Sequence, residues 1–333
     1  MILIISPRTD DHAAPVATEL DRRGQKVAFF NLADFPAQTS ISASISDDAP
    51  LVAEVVQGVE RFRLEDVSAV WLRRIRKPVP PPESDCGFAV QESHQFLVGL
   101  ARTMNRARWV NPLSALTMDS GWGKVRQLEV ARACGLEIPK TLMTNDPERA
   151  RDFVDSFPAK GCIYKPFTSP DYEDESGRMR SLYTTVVDDR LKDRLPLVAA
   201  APGIFQEAIR KSVELRVTVM GDRAFACAVH SQDCAESQTD YRIRCFKHKR
   251  ERWALPLDVE LRLLRLHREL GLLFGTADMI VTPEGRHIFL ETNQSGQWLW
   301  TADVFQDGEI LGAFCDLLQG SSSRTLSSPK RSG

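Results

Sequence analysis

Residues 277–300 read ADMIVTPEGRHIFLETNQSGQWLW, and their reading decides the fold. Apolar runs at residues 279–281 and 288–290 flank Pro283-Glu284-Gly285, a strong turn signal, so the stretch reads as a β-hairpin. Folding the chain at that turn brings Asp278 to within about one residue of the position opposite Glu291. Asn293 follows Glu291 at i+2 and shares its face of the strand. Like charges placed nearly opposite one another repel. A hard cation turns that repulsion into binding, and Asp, Glu and Asn supply only oxygen ligands. Such a set leaves coordination positions for water and phosphate oxygens. It suits Mg2+ carried on a nucleotide better than a dedicated zinc or calcium cage. The competing reading is a hairpin whose polar residues are simply solvated, the ordinary state of carboxylates. The apolar strands beside them and the trailing Gly-Gln-Trp-Leu-Trp favour a site.

The 333 residues suffice for two or three domains with sizeable cores. A net charge of −2 disfavours a general nucleic-acid-binding role. The seven cysteines form no C-x-x-C pair and their count is odd, which fits a reducing cytoplasm better than a disulfide framework. The amino-terminal apolar run covers only residues 2–5, a buried strand too short for a signal peptide. No run approaches the length needed to cross a membrane. Residues 321–333, SSSRTLSSPKRSG, read as a disordered polar tail.

Strands and helices alternate along the first segment. Residues 2–5, 27–30 and 67–72 read as strands and 11–23 as a helix closed by Gly24, which is the grammar of an α/β sheet domain. After the prolines of 78–82, residues 88–106 and 119–134 read as helices. Asp146 and Pro147 start a helix over 147–157 as N-cap and first helical residue. Strands are expected at 163–166, 182–187 and 204–209, with 168–180 as a polar, acidic loop over a site. Residues 214–220 and 224–231 read as a hairpin, 257–270 as an amphipathic helix ended by Gly271, and 303–318 as a closing helix. These breaks divide the chain into residues 1–115, 116–210, 211–320 and the tail 321–333.

Three features precede the hairpin. Lys165 ends a strand, where an ammonium can meet a phosphate as a point charge. Gln206, Glu207, Ala208 and Ile209 end another, where backbone groups can read an adenine edge. Glu214 and Arg216 share a strand face, and Arg216 suits a developing phosphate charge. Singly, each is more often a solvated or ion-paired residue. Their order, Lys, Lys, Gln-Glu, Glu-x-Arg, Asp, Glu-x-Asn, resembles the ATP-grasp superfamily. With Trp71-Leu72-Arg73-Arg74, Phe205-Gln206-Glu207, Glu214-Leu215-Arg216-Val217-Thr218-Val219, Ser231-Gln232, Asp240-Tyr241-Arg242 and the stretch from Phe289 to Trp300, the chain resembles the microviridin-type or graspetide synthetases. These ATP-grasp ligases macrocyclise ribosomal peptides. The Glu-x-Asn pattern marks the superfamily, and Gly-Gln-Trp-Leu-Trp points to the subgroup.

The resemblance implies an α/β (α+β) ATP-grasp fold behind an amino-terminal pre-ATP-grasp domain, and an ADP-forming carboxylate ligase. It implies that Lys124 and Lys165 contact ATP phosphates, that Gln206 to Ile209 read adenine, and that Glu214 lies near the ribose. It assigns Asp278, Glu291 and Asn293 to Mg2+, and Arg216 to the transferring phosphoryl group as the catalytic residue. The expected partner is a precursor peptide with a leader and an acidic core, met by a cytoplasmic homodimer without nucleic acid or membrane. Two departures stand out: the 168–180 loop contains only Gly177, and Tyr241 stands where this subgroup has tryptophan. Arg74, beside Arg73, Arg76 and Lys77, and Arg242 are candidates for holding an acidic substrate, against the equal alternative of a solvated basic face. In the implied reaction ATP phosphorylates a side-chain carboxylate, and a hydroxyl or amine of the same peptide attacks the acyl phosphate. The alternatives are a ligase joining a free amino acid or small amine to a carboxylate, and a small-molecule kinase using the same nucleotide cradle.

Overall fold

The computed structural model describes residues 1–116, 123–159, 161–168, 171–173, 179–181, 183–243 and 248–321. Two compact units divide the chain, Met1–Leu113 with Met220–Asp222 and Gln297 onward, and Ser114–Val219 with Arg223–Gly296.

The second unit holds a five-stranded sheet in the order Arg250–Trp253, Arg223–Val229, Val213–Met220, Phe274–Val281, His287–Asn293. The strand Val213–Met220 is buried at every position, as a central strand covered on both faces must be. Leu128 and Ala131 of the helix Gly123–Ala133, with Val259, Leu263 and Leu266 of the helix Leu257–Glu269, share one core with Leu215, Val217 and Met279. The latter helix is apolar on one stripe and ends before Gly271, whose φ of +70° only glycine adopts without strain. A four-stranded sheet runs Thr185–Val186, Cys162–Lys165, Gly203–Glu207, Thr141–Thr144. Beside it the helix Pro147–Asp155 starts as its sequence indicates, with the Asp146 carboxylate accepting from Glu148 N and Arg149 N. Within the stretch read as a loop over 168–180, Asp171–Glu173 and Met179–Ser181 pair as short antiparallel strands. Gly177 lies outside the described residues. No described helix is long and apolar enough to cross a membrane.

In the first unit four parallel strands lie in the order Val27–Phe30, Ile2–Ile5, Ala69–Leu72, Arg108–Val110. Residues 39–63, unassigned from sequence, form an antiparallel three-stranded sheet. Its first strand is almost wholly exposed, although Ile41, Ala43 and Ile45 alternate with serine in the pattern that marks a strand. The closing helix read at 303–318 is three pieces, the 3-10 segments Leu299–Val304 and Gln306–Gly308 and an α-helix Glu309–Gln319, which begins after Gly308 with φ +69°. Of the tail 321–333, only Ser321 is among the described residues. Trp298 is fully buried against His12 and Phe314. His12 Nε2 accepts from Trp298 N at 3.0 Å and Leu299 N at 3.2 Å, which places the ring proton on Nδ1.

The basic run at Arg73 and Arg74 has one buried organiser. The Asp10 carboxylate accepts from Arg73 Nε at 3.0 Å, Arg74 Nε at 2.9 Å, His12 N at 3.0 Å and Ala13 N at 2.9 Å. Burial opposes its charge, but the two guanidiniums and the Ala13 amide outweigh burial and hold its pKa far below the usual carboxylate range. A depressed folded pKa gives stability that is complete above the unfolded carboxylate pKa and is lost as pH falls through the folded one. Replacing Asp10 by Asn removes the carboxylate that pairs with Arg73, which is only 2% exposed. The expected cost is about 3–5 kcal/mol in urea unfolding; an unchanged midpoint would show that Asp10 does not organise this unit.

Candidate functional site

The hairpin expected from Pro283-Glu284-Gly285 is the strand pair Phe274–Val281 and His287–Asn293. Val281 faces His287, Ile280 faces Ile288 and Met279 faces Phe289; then the register shifts, and Asp278 faces Glu291. This bulge matters because side chains alternate along a strand. In unbroken register Asp278 would oppose Leu290, and Glu291 would point to the other face. With the bulge, Asp278, Leu290 and Glu291 all line one cavity. The carboxylates remain 17% and 29% exposed, which leaves their oxygens open to it.

Cations surround the pair. Arg216, on the strand beside Asp278, donates from Nη1 to both Asp278 oxygens at 2.9 and 3.0 Å. Tyr241 donates its hydroxyl to Asp278 Oδ1 at 3.1 Å. Lys124, at the start of its helix, lies 3.2 Å from Glu291 Oε2 and donates to Pro166 O at 3.3 Å. Burial pushes Asp278 up against the pull of Arg216. Burial also pushes on Glu291, but Lys124 and Lys165 outweigh it and hold that carboxyl below its ordinary value. Lys165 is pushed down by burial, with Lys124 adding to the effect and Glu291 opposing it. The two facing carboxyls are therefore shifted in opposite directions, Glu291 down by its lysines and Asp278 up by burial.

The rest of the cavity combines apolar walls, Ile163, Val186, Ile209 and Ile280, with a second polar cluster. Glu214 accepts from Ser231 Oγ at 2.7 Å and pairs with Lys211 at 3.1 Å, and burial raises its pKa against both. Asp240 takes Arg242 through Nε and Nη2, and Arg242 lies over the Tyr183 ring at 5.5 Å. The Asp240 hydrogen bond holds the Arg242 pKa up, against burial.

Of the residues singled out from sequence, Lys124, Lys165, Gln206 to Ile209, Glu214, Arg242, Asp278 and Glu291 line this one cavity. Arg216 stands behind it, held on Asp278. Asn293 is exposed, faces Thr276 across the hairpin and accepts from Ser295 N at 2.9 Å; it is not in the cavity wall. Arg74 belongs to the other unit, where it pairs with Asp10. In the segment expected to read an adenine edge, Gln206 turns its side chain to Thr141 Oγ1 at 2.8 Å. Glu207 N and Ala208 N already donate to Lys140 O and Gly161 O, both at 2.9 Å. Sequence reasoning missed Lys211 and Tyr241 as site residues. Tyr241 stood out only as a departure from tryptophan, and Lys211 at i−3 from Glu214 carries no signal in a strand. Gly296 has no room for a side chain: a Cβ there would collide with Thr276 Oγ1 and stand 2.9 Å from Arg216 Nη2.

The donor set fits Mg2+. Among the described residues no three His, Cys, Asp or Glu side chains converge, and the facing pair Asp278 and Glu291 offers only oxygen. Two carboxylates leave positions for water and phosphate oxygens.

Residues 1–117 match the family model described as the MvdD pre-ATP grasp domain. Over the whole chain the protein is similar to a RiPP-associated ATP-grasp ligase of Chryseobacterium gregarium, solved with ADP and a leader and core peptide. Identity is 29% and the TM-score 0.88, over 97% of each chain. It is similar to the macrocyclase MdnC of Microcystis aeruginosa, bound with precursor peptide MdnA, at 27% identity and TM-score 0.83 over 96% of this chain and 99% of that one. Macrocyclase MdnB of the same organism matches at 26% identity and TM-score 0.76, over 95% and 98%. The search of curated proteins returned no match.

Tyr241→Phe removes the hydroxyl from Asp278 and leaves the Arg216 pair in place. Because the acceptor is charged, the expected loss is about 1.5 kcal/mol in urea unfolding; no loss would mean that the hydroxyl does not hold this carboxylate.

Proposed function

We propose that this chain, which is an ATP-grasp ligase of the graspetide type, uses ATP to join side chains within a ribosomal precursor peptide. A side-chain carboxylate of Asp or Glu attacks the terminal phosphorus of ATP, giving an acyl phosphate and ADP. A hydroxyl or amine of the same peptide then attacks the acyl carbon, loses its proton and expels phosphate, leaving an ester or amide and a closed ring. The observation that carries this reading is the cavity itself. Two facing carboxylates, two lysines and an arginine-held wall sit beside an apolar slot, in a chain that aligns with peptide-bound ligases along its whole length.

Each residue has a physical task. Lys124 and Lys165 bind the phosphates. The apolar walls and the backbone of residues 206–209 hold the adenine, and Glu214 faces the ribose. Asp278, Glu291 and Asn293 would hold Mg2+, which offsets phosphate charge when bound. Arg216 is fixed on Asp278, where its guanidinium steadies charge at the transferring phosphoryl group. Arg242 is braced by Asp240 at the cavity mouth, 41% exposed, and is placed to take an acidic side chain of the substrate. Arg74 is a second candidate for an acidic segment of the peptide. The same reading assigns a cytoplasmic homodimer with no nucleic-acid or membrane partner. It also assigns a division into residues 1–115, 116–210 and 211–320.

Hydroxylamine tests the reaction class. An acyl phosphate is trapped as a hydroxamate, whereas a kinase acting on a hydroxyl gives ADP and no hydroxamate. Peptide-dependent hydroxamate formation is the expected outcome. ADP release with a free amino acid or amine in place of peptide would favour the small-molecule ligase. Glu291→Gln and Asp278→Asn should each abolish ADP formation with circular dichroism unchanged; full turnover in both would remove the metal assignment.

A further inference from the structure

Thr292 lies between Glu291 and Asn293 on His287–Asn293, an edge strand of the five-stranded sheet. An edge strand presents backbone N–H and C=O groups with no ladder partner. At Thr292 one side chain takes both. Gln127 Nε2 donates to Thr292 O at 2.8 Å, and Thr292 N donates to Gln127 Oε1 at 2.9 Å. A side-chain amide thus replaces a neighbouring strand at a single residue. The Thr292 side chain is fixed as well, its Oγ1 lying 3.1 Å from Nε2 of the buried His267. The space there is tight: a Cβ on Gly275 would stand 2.7 Å from His267 and 3.1 Å from Thr292 Oγ1.

Gln127 shares its helix with Lys124, at i+3 and so on the same face. The two contacts this helix makes with the strand differ in kind. Lys124 makes a charge pair with Glu291 at the cavity wall, and an ammonium drawn onto a phosphate loosens its hold on that carboxylate. Gln127 bonds to backbone and carries no charge, so its grip is unaffected when Lys124 changes partner. Without that grip the Thr292 peptide could turn, and the side chains on either side of it would swing with it.

We propose that Gln127 is a positioning residue for the cation ligands: its amide fixes the Thr292 peptide and so sets where Glu291 and Asn293 present their oxygens. This rests on reading those two residues as cation ligands. The test is a Mn2+ titration in the presence of ADP, followed by electron paramagnetic resonance, on wild type, Gln127→Met and Gln127→Asn. Asparagine keeps an amide but is one methylene too short to bridge both groups. ADP binding in EDTA and thermal unfolding are measured alongside. The expected result is a Mn2+ dissociation constant raised about tenfold in both variants, with metal-free ADP binding unchanged. Unchanged Mn2+ affinity, even with a lower melting temperature, would make Gln127 merely structural and overturn the proposal. If Gln127→Met does not fold, Gln127→Asn decides by the same criterion. Failure of the wild-type protein to bind Mn2+ with ADP would remove the ligand reading and this inference together.

Discussion

The second unit is organised around two carboxylates that face one another across a bulged strand pair. Asp278 and Glu291 would repel if left alone. Each is answered by a cation from a different element, Arg216 from the adjacent strand and Lys124 from a helix. The answers differ in permanence. Arg216 is buried and shares hydrogen bonds with both Asp278 oxygens, and stripping either partner from such a pair costs about 3–5 kcal/mol. Lys124 is a single ammonium at the cavity wall, 3.2 Å from Glu291 Oε2.

The first unit spends its buried charge differently. Asp10 gathers two arginines and two backbone amides into a closed cluster. Arg73 is consumed there, so the run Arg73, Arg74, Arg76, Lys77 is not a uniform substrate-binding patch. Trp298, part of the subgroup's sequence signature, is core rather than surface. Its backbone amide is satisfied by His12, nearly the full chain length away. The signature therefore reports how this unit packs as much as what the cavity does.

Much of this was legible in the sequence, and the exceptions have physical causes. The hairpin announced itself through apolar runs around Pro-Glu-Gly, but only to within a residue, because a bulge leaves no mark in composition. The ion pair of Arg216 with Asp278 joins positions far apart in the chain, and no periodicity reports such a contact. The sheet at residues 39–63 went unassigned although its first strand alternates isoleucine and alanine with serine and its second carries Leu51, Val52, Val55 and Val56; the small serines and alanines dilute the signal. The closing helix was read as continuous because its apolar stripe runs past Gly308. Gln127 was invisible for a different reason: a side chain that bonds to backbone is indistinguishable, in sequence, from any polar residue on a helix surface.

The decisive measurement is the intact mass of a candidate Asp- and Glu-rich precursor peptide after incubation with the protein, ATP and Mg2+. Stepwise loss of whole waters, each matched by one ADP, is the predicted result and counts the bonds formed. A peptide of unchanged mass, with nucleotide demonstrably bound to the protein, would contradict it and move the small-molecule ligase or kinase to the front.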